Sequence, residues 1–125
     1  MVARTPRAKV RGLGSARSGA ADYWRMKLTS YALIPLTLFL IGLLIALARA
    51  DYATVSATLR APYVAMPLLL FVIANALHMR LGMNQIIEDY VHAKAWKMAA
   101  VAGNLFFSAS VALVALFALI RLGVG

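Results

Sequence analysis

Three long apolar stretches divide the chain, at residues 28–48 (LTSYALIPLTLFLIGLLIALA), 61–79 (APYVAMPLLLFVIANALHM) and 98–120 (MAAVAGNLFFSASVALVALFALI), and none contains Asp, Glu, Lys or Arg. Their lengths of 21, 19 and 23 residues match the span of a helix across hydrocarbon about 30 Å thick. Lipid offers no partner for backbone N–H and C=O groups, and three segments cannot close a barrel, so the spans must be helices. The pattern predicts an all-α membrane protein with three transmembrane helices. One domain covers residues 21–125, behind a basic tail at residues 1–20. No proline follows Pro67 in the second span, so that helix can run past the membrane surface toward Tyr90.

Composition agrees: 63% of the 125 residues are hydrophobic, more than a soluble domain of this size can hide. The absence of cysteine excludes thiolate zinc, iron–sulfur ligation, disulfides and cysteine nucleophiles. The net charge is +9, yet only 14% of residues are charged, too sparse for a nucleic-acid surface. Placement explains the excess. Ten Lys and Arg residues lie before the first span (Arg4, Arg7, Lys9, Arg11, Arg17, Arg25, Lys27) or in the 80–97 loop (Arg80, Lys94, Lys97), against three on the other side (Arg49, Arg60, Arg121). That asymmetry predicts a cytoplasmic N-terminus and a periplasmic C-terminus in a bacterial inner membrane, or the matrix-facing equivalent in a mitochondrial inner membrane. Trp24 and Trp96 flank the first and third spans on the same basic side, where aromatic anchors belong. A cleavable signal peptide is the rival reading of the first span, but its apolar run is too long and Arg49 falls in the Ala48-Arg49-Ala50 motif. The tail, rich in Arg, Ala, Gly and Ser, is expected to be disordered or to lie along anionic headgroups. No phosphate loop, HExxH pair or serine with a positioned base is present.

Polar groups inside the spans carry the chemistry, because burying them without partners is costly. On a helix continuing through the second span, His78, Gly82, Gln85 and Asp89 fall on one stripe roughly 60° wide. An imidazole beside a missing side chain suits a bulky planar ligand, with His78 offering nitrogen to a metal and Gly82 allowing close approach. The same two residues could instead serve a helix–helix contact. Asp89 and Tyr90 lie roughly 16–18 Å along the helix from His78. Tyr90 can donate a hydrogen bond to a quinone carbonyl, with Asp89 orienting it or relaying protons; alternatively Tyr90 is an interfacial anchor. Asn104 and Ser108, beside the small residues Ala99, Ala100, Ala102 and Gly103, predict a helix–helix contact. Met66, Met79, Met83 and Met98 are read as packing filler.

The run His78-Met79-Arg80-Leu81-Gly82-Met83-Asn84-Gln85-Ile86-Ile87-Glu88-Asp89-Tyr90-Val91-His92 resembles the HxxxGxxxxxxxDYV signature of the small hydrophobic anchor subunit of succinate dehydrogenase, respiratory complex II. Trp24-Arg25-Met26-Lys27-Leu28-Thr29, followed by Pro35-Leu36, is similar to that family's W-x-x-[RK]-x-T and Pro-Leu approach to the first helix. The resemblance covers residues 22–120. It implies half of a heterodimeric anchor bundle that holds the flavoprotein and iron–sulfur subunits to the membrane, with no succinate-oxidising site of its own. It further implies His78 as one axial ligand of haem b, the other coming from the larger cytochrome b anchor subunit. Tyr90 and Asp89 would serve ubiquinone, Gly82 would pack against the haem, and Lys27 would approach a propionate. Many members carry arginine where Lys27 stands and histidine where Asp22 stands. The residues agree on one point independently: one intramembrane histidine cannot ligate a haem from both sides, so a haem here needs a partner chain. The alternatives are a haem-free structural anchor or adaptor, and a fumarate reductase anchor subunit.

Overall fold

A computed structural model describes residues 18–124. These form four helices: α1 (Ser18–Leu47), α2 (Tyr52–Arg60), α3 (Pro62–Tyr90) and α4 (Lys94–Val124). The described residues contain no strand, and α1, α3 and α4 are each long and apolar enough to cross a membrane. Three spans are therefore present as expected, and α3 does run on to Tyr90.

The helices are longer than the apolar runs. α1 begins ten residues before residue 28, and α4 begins at Lys94 rather than 98. Charge ends an apolar run, but it does not end a helix: Lys and Arg are good helix formers and extend into the interface. Most of the basic tail lies outside the described residues, while its last three residues already belong to α1. Pro35 inside α1 and Pro67 inside α3 each remove one backbone bond, from Tyr31 O and Tyr63 O respectively, a loss spanning helices tolerate.

α2 is the one element the hydropathy pattern does not announce, because its nine residues are only weakly apolar. Local chemistry explains it. Asp51 caps its N-terminus, accepting from Thr54 N at 3.4 Å. Hydrogen bonding from the Thr54 side chain, then from its backbone, holds the Asp51 carboxyl below its ordinary value. At the other end Arg60 Nε donates to Leu122 O at 2.8 Å, tying α2 to the last turn of α4 and using a carbonyl that has no partner within its own helix. Pro62 then opens α3, where a missing N–H costs nothing.

α3 is the hub. It packs against α1 on one side and α4 on the other, whereas α1 and α4 share no extensive contact. At one end α2 packs on both α3 and α4, and there side chains of all four helices line one apolar groove. Four apolar residues are buried (Val64, Leu68, Ala74 and Ile87), all on α3, together with Asn104 and Ser108 of α4. Of the four methionines expected to pack, Met79 is half-buried while Met66, Met83 and Met98 are exposed; Met26, not among them, is also half-buried and lies beside Gly82. The small-residue face of α4 is likewise only partly used, because Ala99, Ala102 and Gly103 are exposed and a Cβ on Gly103 would meet nothing within 4 Å.

Candidate functional site

Two contacts mark the polar end of the seam between α1 and α3. His78 Nδ1 lies 3.1 Å from Thr29 Oγ1, and one turn further along α3 a Cβ on Gly82 would sit 3.7 Å from Met26 Cε. Rising numbers on one helix meet falling numbers on the other, the mark of an antiparallel pair. Gly82 thus faces α1 rather than free space, with room for an ordinary contact between an added Cβ and Met26.

The hydroxyl of Thr29 bears directly on the imidazole. Its oxygen is 2.9 Å from both Arg25 O and Met26 O, to which its one proton can be given within its own helix. In the tautomer with a proton on Nδ1, His78 then donates to the lone pairs of Thr29. Nε2 is left as the nitrogen with a free lone pair, the arrangement that hydrogen-bonding neighbours impose on metal-binding histidines. Beside His78 runs a groove of about 420 Å³, lined by Ser30, Leu33, Ile34, Thr37 and Leu38 of α1. Three of those five side chains are aliphatic, so the groove suits the apolar body of a planar ligand.

Lys27 is seven residues before Ile34 and shares its face of α1, at the head of this groove. Its Nζ lies 5.1 Å from the centre of the Tyr23 ring, a cation–π contact that leaves its donors available. Asp22, by contrast, pairs with Arg25 at 3.3 Å in the single ion pair among the described residues.

Gln85, Asp89 and Tyr90 continue α3 beyond the seam, and all three are exposed. Tyr90 is 78% exposed in the last turn. Adjacent residues on a helix diverge by about 100°, so Asp89 follows the His78 stripe while Tyr90 points away from it. The turn is braced by Lys97 Nζ, which donates to Glu88 O at 3.2 Å. Trp24 and Trp96 are also exposed, at 60% and 74%, as interfacial anchors must be.

The second seam has a different character. Asn104 Nδ2 donates to Arg80 O at 2.9 Å and to Asn84 Oδ1 at 2.7 Å, while Ser108 Oγ donates to Asn104 Oδ1 at 3.3 Å. Asn104 and Ser108 therefore form the expected helix–helix contact. Sequence reasoning missed Thr29 as the partner of His78 and Asn84 as the partner of Asn104. Among the described residues no cluster of three or more His, Asp or Glu could hold a metal, so His78 offers a single ligand.

Comparison with known proteins agrees with this architecture. Residues 1–119 match the family described as succinate dehydrogenase/fumarate reductase transmembrane subunit. The chain is 34% identical over 122 residues to the succinate dehydrogenase hydrophobic membrane anchor subunit of Paracoccus denitrificans, covering 97% of this chain and 93% of that one. It is 32% identical over 83 residues to the subunit of the same name from Rickettsia bellii, covering 66% of each chain. No solved structure matches it significantly.

Proposed function

Since this chain belongs to the family of succinate dehydrogenase and fumarate reductase transmembrane subunits, we propose that it shares a b-type haem with a larger cytochrome b subunit and forms part of a ubiquinone-reduction site. The coarser statement stands on the family itself: the chain is a multi-pass inner-membrane anchor subunit of succinate dehydrogenase. The observation that carries the finer reading is the pairing of His78 with Thr29, which holds a lone intramembrane histidine through Nδ1 beside an apolar groove.

The residues fit such a group. His78 would give Nε2 to the iron, Leu33, Ile34 and Leu38 would cover the macrocycle, and Lys27 would meet a propionate. Gly82 would contribute indirectly, by leaving room beside Met26 where α1 brings Thr29 to the ring. When bound, the haem supplies a one-electron relay. A second histidine for such a haem would come from another chain, and this one would then be half of an anchor pair. The phenol of Tyr90 would donate to a quinone carbonyl, and the exposed carboxylate of Asp89 would exchange protons with water nearby. The ten-to-three split of basic residues favours a cytoplasmic C-terminal end for α3, the side where flavoprotein and iron–sulfur subunits would dock. Succinate oxidation would belong to those subunits. Both named relatives are succinate dehydrogenase subunits, which favours that direction over fumarate reduction.

The test is a dithionite-reduced minus oxidised spectrum of the complex purified through a tag on this chain. A b-type band that vanishes in His78→Ala is expected, and a full complement of haem in that variant would refute the ligand assignment. Tyr90→Phe should impair quinone reduction while succinate oxidation with an artificial acceptor survives. Equal loss of both would assign Tyr90 to assembly.

A further inference from the structure

On the side of the α1–α3 seam away from the His78 groove lies a cleft of about 460 Å³. Arg25, Arg80, Asp22, Asn84 and, at its back, Thr29 line it with polar groups, and Leu28, Leu77 and Leu81 are its apolar walls. The two grooves share no residue. Helical spacing agrees with this sidedness, because Arg25 and Leu28 lie roughly 120–180° around α1 from Ile34.

Charge in the cleft is unbalanced. Asp22 is engaged by Arg25 at 3.3 Å, and no carboxylate among the described residues pairs with Arg80. The cleft therefore carries one positive charge in excess, at the edge of an apolar span where an uncompensated guanidinium is costly. Leu77 and Arg80 also line a second groove of about 210 Å³, between α3 and α4. Its remaining walls are Ile73, Ala76, Leu105, Ala109 and Ala112, with Ser108, whose hydroxyl is already spent on Asn104. From Arg80 to Ile73 this trough descends about 10 Å along α3, at 1.5 Å per residue. A basic cleft above an apolar trough, joined through the same two side chains, has the shape of an amphiphile.

We propose that this face binds one anionic phospholipid, its phosphodiester held between Arg25 and Arg80 and an acyl chain lying in the trough beside Ile73, Leu105 and Ala109. Arg80 supplies the uncompensated charge, and its planar fork suits phosphate oxygens. Asn84 does not compete for the ligand as a charge would, because its Oδ1 already accepts from Asn104. The inference goes beyond the haem reading and needs only that the three helices span a membrane.

The test uses the whole complex, purified through a tag on this chain and washed of loosely held lipid, with retained phospholipid measured by mass spectrometry. One anionic phospholipid per copy of this chain is expected. The Arg25→Gln/Arg80→Gln variant should bind phosphatidylglycerol roughly tenfold or more weakly, in line with the contribution of each basic residue at an anionic surface. Ala109→Phe, which fills the trough without touching charge, should cause a comparable loss, and it keeps the proposal falsifiable should the arginine variant fail to assemble. In the delipidated complex, phosphatidylglycerol but not phosphatidylcholine should raise the thermal midpoint. Unchanged anionic lipid in an assembled double-arginine variant would overturn the proposal. So would displacement of the lipid by inorganic phosphate with no effect of Ala109→Phe, which would leave a bare anion site. A haem band altered by Arg80→Gln would overturn it as well, by assigning the arginine to the haem face.

Discussion

The two seams along α3 use the same kinds of residue to opposite ends. Between α3 and α4, the side-chain amide of Asn104 is spent on Arg80 O and Asn84, and Ser108 closes the network on Asn104, with both α4 residues under 10% exposed. Between α1 and α3, Thr29 satisfies only one of the two nitrogens of His78. A polar network in a membrane is glue when its buried donors are used, as those of Asn104 and Ser108 are; an open one advertises a missing partner. The distinction separates structure from function within one helix, where counting polar residues could not.

Several substitutions would break or sharpen that contrast. The largest effect should come from Thr29→Val, which removes the oxygen that holds Nδ1 while keeping the side chain's shape. Haem should be retained roughly 10–100-fold less tightly, as when other hydrogen-bond partners of metal ligands are lost. The checks are haem content after competitive washing and the midpoint potential of the haem that remains. Thr29→Ser should restore both, and equal haem retention in the valine variant would show the contact to be incidental. On the closed seam, Asn104→Ala should lower the stability of the assembled complex by about 0.6–2 kcal/mol, the range for interhelical hydrogen bonds. Its haem spectrum should not move, and thermal inactivation followed alongside the spectrum decides the matter. Gly82→Ala should be milder, because a Cβ there meets Met26 Cε at 3.7 Å, an ordinary contact with a flexible side chain. Gly82→Leu should instead force the helices apart and reproduce the Thr29→Val phenotype in the same wash assay.

The smallest effect belongs to α2, far from both polar networks. Asp51→Ala should speed hydrogen exchange at the Thr54 amide, leaving haem and activity intact. The sign with pH follows from its lowered pKa: the cap's contribution is complete above the ordinary carboxyl value of 3.8 and fades as pH falls through the lower folded value. Exchange in the wild-type and variant complexes should therefore converge in acid, once intrinsic exchange rates are divided out.

The spans are legible in the sequence because about twenty apolar residues in a row find few stable surroundings outside a bilayer. His78 is legible for the converse reason, as an imidazole among aliphatic neighbours. Its partner is not: a threonine in a spanning helix ordinarily bonds its own backbone, as Thr29 also does, and 49 residues separate it from His78. Arg25 and Arg80 are obscured differently. Counted as orientation signals they sit in different segments, and only the antiparallel packing of α1 on α3 brings them to one cleft. The helical residues that precede residue 28 and the start of α4 at Lys94 are hidden by charge, which closes an apolar run several residues short of the helix end. α2 escapes notice because a capping aspartate and an arginine reaching Leu122 O leave little trace in hydropathy.

The hub arrangement also sets a schedule. Because α1 finds its lasting contacts on α3 and few on α4, the helix made first has no partner in its own chain until the third helix emerges. Thr29 waits for His78 through 49 residues of synthesis, roughly 2–10 s at 5–20 residues per second. During that interval α1 lacks the contacts that α3 later gives it. The order of the chain thus leaves the face of α1 that carries Thr29 open until its own hub arrives.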